Sequence, residues 1–140
     1  MPPKNQQQAG SSQEISIETS AKILELEQAV KQDPKNSEAW ITLGNLFFDS
    51  NQPKNAIESY ENALQLKPGK ENPSVITDLG VIYWRNGQPE KAVETFEKAI
   101  EIDPSFEVAL FNKGIVLMHD RDNLEGAIKS WEELVSRNPV

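Results

Sequence analysis

Leu79-Gly80-Val81-Ile82-Tyr83, followed by Ala92, Phe96 and Ala99 and then by Pro104, decides how the stretch Pro73 to Phe106 folds. Leu79, Gly80 and Tyr83 share one face of a helix. After a break at Gly87-Gln88-Pro89, Ala92, Phe96 and Ala99 fall at i, i+4 and i+7, one face of a second helix. Gly80, Ala92 and Ala99 are small enough to let two helix backbones approach, and Tyr83 and Phe96 fill the space around the contact. The unit reads as an antiparallel helical hairpin.

The hairpin recurs on both sides. From Gly80 the later landmarks follow at offsets of 12 (Ala92), 16 (Phe96), 19 (Ala99) and 24 (Pro104), and from Gly44 the same offsets reach Ala56, Tyr60, Ala63 and Pro68. Trp40, Leu43 and Phe47 then match Ile76, Leu79 and Tyr83. From Gly114 each offset grows by one, reaching Ala127, Trp131, Leu134 and Pro139, which places a one-residue insertion in the loop His119-Asp120-Arg121-Asp122-Asn123. In this third copy Leu110 and Leu117 hold apolar sites, and Lys113 stands where Leu43 and Leu79 stood. Gly80 and Gly114 are 34 residues apart, and Gly44 and Gly80 are 36, the extra pair lying in Lys67-Pro68-Gly69-Lys70-Glu71-Asn72.

A helix-turn-helix period of this length, carrying Trp, Leu-Gly, an aromatic, Ala, an aromatic, Ala and Pro in order, resembles the tetratricopeptide repeat. The likeness covers residues 37 to 140. It implies an all-α, right-handed solenoid of antiparallel helical hairpins with an amino-terminal capping helix. The expected organisation is a disordered polar lead-in at 1–14, a half-repeat helix at 15–35, and repeats at 37–72, 73–106 and 107–140. A weaker resemblance, carried by Phe111-Asn112-Lys113-Gly114-Ile115-Val116-Leu117 and Gly126-Ala127-Ile128-Lys129-Ser130-Trp131-Glu132, is to bacterial repeat domains akin to those of cytochrome c maturation. No haem-binding residues accompany it.

Residues 1–14 are rich in Gln, Pro, Ser, Asn and Gly and lack periodic apolar residues, so they cannot repay the entropy of ordering. They suit a native tail or a linker that follows an amino-terminal anchor. From Ser16 or Thr19 to Gln32 a helix carries Ile23, Leu26, Ala29 and Val30 on one face; aligned by Pro34, it matches the second helix of a repeat and suits a cap on the first hairpin. Pro53 and Pro89 occupy first-turn positions, where a missing N–H costs nothing. Gly87 suits the left-handed end of the preceding helix, and Asp122 or Asn123 the N-cap of the last. At the other end Val116, Ile128, Leu134 and Val135 are the residues expected to face a missing neighbour. The sequence leaves open a homo-oligomer, whose uncapped ends join chains into a self-assembling structure, and a monomer with an open end.

Composition narrows the function. The 140 residues carry 14 Lys and Arg against 22 Asp and Glu, a net charge of −8, and show no basic stripe, which argues against nucleic acid and anionic membrane as direct ligands. No apolar run approaches the roughly 20 residues of a membrane span, and the polar amino terminus has no signal-peptide h-region. The compartment stays open, cytoplasmic or, with an anchor, periplasmic. There is no cysteine, and His119 is the only histidine, so neither a metal cluster nor a thiol nucleophile is available, and no cofactor is expected. Gly44, Gly80 and Gly114 are isolated and explained by helix packing, leaving no phosphate-binding loop. Enzymatic chemistry is not expected.

Protein binding is. The resemblance implies that first helices line a concave groove for a partner's helix or extended peptide. Carried over position by position, its partner-binding residues are Ile41, Asn45, Phe48 and Asp49; Thr77, Val81, Trp84 and Arg85; and Phe111, Ile115 and Met118, with Val108, Asn112 and His119 alongside. Phe48, Trp84 and Met118 hold equivalent places and would form an apolar ladder. Asn45 and Arg85 would give polar register. The family's clamp for an acidic chaperone tail is absent, since its positions hold Ile41, Asn45, Asp78, Val108 and Asn112, of which only Asn45 fits. Lys113 is expected to pack its stem and reach a nearby Glu or Asp, such as Glu132 or Glu133 on the facing helix.

Overall fold

The computed structural model describes residues 15–67, 72–120 and 122–137; the lead-in at 1–14 lies outside them. Seven helices run in order through the described residues: α1 (Ile17–Gln32), α2 (Ser37–Asp49), α3 (Pro53–Gln65), α4 (Pro73–Arg85), α5 (Pro89–Ile102), α6 (Glu107–His119) and α7 (Leu124–Arg137). The chain divides into two compact units, Met1–Ala63 and Leu64–Val140.

The helices begin and end where local chemistry requires. The Ser16 hydroxyl accepts from the Thr19 N–H (3.0 Å) at the start of α1, and Asn36 Oδ1 accepts from the Ala39 N–H (3.1 Å) at the start of α2. Asn72 and Asn123 do the same for α4 and α7, accepting from Ser74 N–H and Gly126 N–H at 2.8 Å each. Each side chain satisfies an N–H that has no partner within its helix. Between paired helices the turns share one closure. Gln52 N–H donates to Phe47 O (2.8 Å) and Gln88 N–H to Tyr83 O (2.9 Å), with Asn51 (φ 58°) and Gly87 (φ 76°) in the left-handed region that such a helix end demands. In the third turn Asn123 N–H reaches Leu117 O (2.8 Å), one residue farther along the chain, and Asp122 (φ 46°) is left-handed. The inserted residue is absorbed there.

In the first unit α1 packs on α2, burying Ile23 and Val30. α2 pairs with α3 across Gly44: a Cβ there would lie 2.5 Å from Tyr60 Cδ1 and Cε1. In the second unit α4 pairs with α5 and α6 with α7, while α6 also packs on α5 and touches α4. Both pairings repeat the glycine contact. A Cβ on Gly80 would lie 2.5 Å from Phe96 Cε1, and one on Gly114 2.6 Å from Trp131 Cε2. Ala92, Phe96 and Ala99 on α5 are buried, as are Ala109, Leu110, Val116 and Leu117 on α6. Val116 is therefore core: α6 is packed by α5 on one side and α7 on the other, and the valine does not await a further neighbour.

Candidate functional site

The first helix of each hairpin has one face turned to its own second helix, and the sequence-predicted residues fall around what remains. On α2, in the first unit, Ile41 and Phe48 are half-buried, and Asn45 and Asp49 are exposed. Asn45 has an internal role, because the Tyr60 hydroxyl donates to its Oδ1 (2.8 Å). The two later hairpins have no such bond to make. Where the ring is Phe96 the position of Asn45 is held by Val81, and where it is Trp131 by Ile115. A phenol buried against Gly44 needs an acceptor, and the next residue on α2 supplies it. The signal lay in the sequence, in the pairing of Asn with Tyr and of Val with Phe.

In the second unit α4 and α6 lie in contact. Thr77 is buried and its hydroxyl donates to Pro73 O (2.7 Å), so it offers a partner no surface. That corrects its expected place on the binding face: one turn into α4, its short side chain turns back to the helix's own carbonyl. Val81 and Trp84 are half-buried, and Arg85 is exposed in the last turn, where positive charge complements the helix dipole. The Trp84 indole N–H donates to Asp120 Oδ2 just past the end of α6, and its ring lies 6.4 Å from the His119 ring, tilted by 32°. Asp120 thus holds the α4 tryptophan to the end of α6. Among the equivalent residues Phe48, Trp84 and Met118, only Trp84 has a side-chain N–H to donate.

Along α6 the residues Val108, Phe111, Ile115 and Met118 recur at i, i+3, i+7 and i+10, one face of the helix. Phe111 is 49% exposed and Met118 37%. Phe111 leans toward Trp131 (centroids 6.5 Å apart), whose indole N–H donates to the Phe111 carbonyl (3.3 Å). Asn112 is half-buried and His119 exposed. Lys113 pairs with a glutamate, as expected, but on the preceding hairpin. Its Nζ lies 3.2 Å from Glu97 Oε2 on α5, the helix of the preceding hairpin, in a cleft that Glu133 of α7 also lines. Glu133 instead meets Arg137 one turn on (2.7 Å). Lys113 lies in a cleft between α5 and α7, and its ion pair goes to α5.

The described residues contain no group of three or more acidic or histidine side chains able to hold a metal ion, and no helix long and apolar enough to cross a membrane. What the two units share is a class of construction: consecutive antiparallel helical hairpins, each closed by a glycine on an aromatic ring. The tetratricopeptide-repeat family model matches residues 47–111, spanning the end of one hairpin, the whole of the next and the start of the third. The matched stretch, just under half of the chain, is similar to that family's repeat. Its fold is similar to that of MamA: one crystal structure superposes with a TM-score of 0.80 at 21% identity, covering 99% of this chain and 76% of that one. A second MamA structure gives 0.78 at 25% identity over 85% of this chain and 63% of that one, and the RS-1 ArsTM double mutant of MamA 0.78 at 19% over 86% and 66%. No curated protein matches the sequence. Tetratricopeptide repeats are protein-interaction scaffolds and are typically non-enzymatic.

Proposed function

We propose that this domain holds a helix or extended peptide of a partner protein on the exposed face of its first helices, with Val81 and Trp84 of α4 and Phe111, Ile115 and Met118 of α6 as the apolar contacts. Ile41 and Phe48 occupy the matching positions on α2. The observation that carries this reading is the exposure of Phe111 and Met118, two large apolar side chains seven residues apart on one helix whose other faces are packed. Leaving such groups in water costs about 25 cal/mol for each Å² that a partner would cover, and aromatics and Met are favoured at recognition surfaces. An amphipathic helix would present its own i, i+3, i+7 side chains to the row. Asp120 fixes the Trp84 ring beforehand, so less side-chain freedom is lost on binding.

The experiment replaces Phe111 and Met118 together by Asp and compares partner capture by the tagged domain. Both are exposed, so helical circular dichroism should persist while capture of the interacting protein falls at least roughly tenfold, as expected for charges placed in an apolar contact. Capture at the original level would refute the proposal.

A further inference from the structure

Each hairpin carries a hydroxyl residue immediately before the ring that meets its glycine: Ser59 before Tyr60, Thr95 before Phe96 and Ser130 before Trp131. In the first two the hydroxyl is engaged within its own helix. Ser59 donates to Asn55 O (3.0 Å) and Thr95 to Lys91 O (2.7 Å), the usual recourse of a hydroxyl inside a helix. Ser130 is only 4% exposed, yet among the described residues its hydroxyl makes no hydrogen bond. Buried polar groups are ordinarily partnered, so this one calls for a partner. No described side-chain polar atom that is sealed from solvent lacks a bond, so the Ser130 hydroxyl opens into the cleft that it lines.

That cleft, of about 510 Å³, is formed by α5, α6 and α7 within the second unit, and its α6 residues, Lys113 and Leu117, are not those of the Phe111, Ile115 and Met118 row. Small-molecule sites span roughly 300–1,000 Å³. Buried Val93 and Leu117 give the cleft an apolar wall. Around Ser130 the unengaged groups are donors. Asn123 Oδ1 accepts from Gly126 N–H (2.8 Å), which leaves its Nδ2 to donate, and exposed Lys129 forms no ion pair among the described residues. The acceptors are Glu97 and Glu133, and Glu133 follows Ser130 by one turn of α7. Each holds one cation, Lys113 at 3.2 Å and Arg137 at 2.7 Å. A carboxylate has about four acceptor sites, so both keep capacity for another donor.

We propose that this cleft binds a free α-amino acid with an apolar side chain. Ser130, Lys129 and Asn123 take its carboxylate, Glu133 and Glu97 its ammonium, and Val93 and Leu117 its side chain. The two glutamates repel a simple anion and Lys129 a simple cation, which favours a zwitterion. None of the α4 and α6 row takes part, so the site stands or falls independently of the peptide reading.

The probe is L-leucine, titrated into the full chain and followed by backbone amide shifts. Saturable shifts at Leu117, Gly126 and Ser130, with a Kd below about 10 mM, are the expected result. Ser130→Ala and Lys129→Gln should each weaken binding at least about fivefold with helical circular dichroism unchanged; should the serine variant unfold, exposed Lys129 carries the comparison. Isocaproate, which lacks the ammonium, and isoamylamine, which lacks the carboxylate, should bind at least about tenfold more weakly than leucine. No saturable binding in that range, shifts confined to other residues, folded variants that bind like the parent, or either analogue binding as tightly as leucine would overturn the proposal.

Discussion

Gly80→Ala puts the helix contact under the most direct strain. In an open helix this change is favourable by about 1 kcal/mol, because alanine has the higher helix propensity. Here the new Cβ would arrive 2.5 Å from Phe96 Cε1 and 2.8 Å from Cδ1. Carbon atoms rest about 3.5–4.0 Å apart, so the ring or the helix must retreat by about 1 Å. Phe96 is wholly buried between Ala92 and Ala99, themselves buried, and has nowhere to go. Overpacking of this kind costs about 1–3 kcal/mol, and a ring with no escape falls at the upper end, leaving a net loss of about 2 kcal/mol. In a domain of this size that lowers Tm by roughly 8 °C. Urea unfolding followed by circular dichroism, at constant m-value, measures it. Adding Phe96→Leu removes the colliding ring edge and should return part of the loss, a non-additive pair. Gly114→Ala makes the comparison, since Trp131 is only half-buried and can swing outward; its net effect should be within about 1 kcal/mol of zero. A Gly80→Ala protein more stable than the parent would show that α4 and α5 do not meet at the glycine.

Other consequences are testable in the same assay. Asn45→Val alone should cost about 1–2 kcal/mol by removing the acceptor that the buried Tyr60 hydroxyl bonds, whereas Asn45→Val with Tyr60→Phe, which copies Val81 and Phe96, should be close to neutral; equal costs for single and double variants would mean the bond contributes nothing. Gly87→Ala should destabilise by about 1 kcal/mol because φ is 76° there, and Asn51→Gly at the matching left-handed residue should leave stability unchanged or raise it slightly. Lys113→Leu, restoring the residue of the other two hairpins, should shift stability by less than about 1 kcal/mol, because its pair with Glu97 is partly solvated at side-chain exposures of 24% and 53%.

The fold was legible because its punctuation is chemical: glycine where backbones meet, an aromatic one turn beyond alanine, proline where a helix begins or has ended. Those residues act locally or within one hairpin, and the chain repeats them three times. The binding face was less legible. Helical spacing says which residues share a side, but a first helix has neighbours on both sides, and spacing does not say which neighbour a side meets. Lys113 faced Glu97 behind it for that reason, and Val116 proved to be core. Thr77 shows a second limit, since a hydroxyl near a helix start can turn to its own carbonyls instead of outward. Asn45 with Tyr60 and Trp84 with Asp120 were readable only by comparing copies, asking which repeat carries a donor that the others lack.

Site-specific photo-crosslinking in cells tests the binding face most directly. Benzoylphenylalanine placed at Phe111 or Met118 should crosslink to one and the same segment of a partner protein, mapped by mass spectrometry, while the same group at exposed Glu94 on α5 should not capture that segment. Capture of that segment from Glu94 as efficiently as from the two α6 positions, or none from Phe111 and Met118, would contradict a partner seated on the first helices.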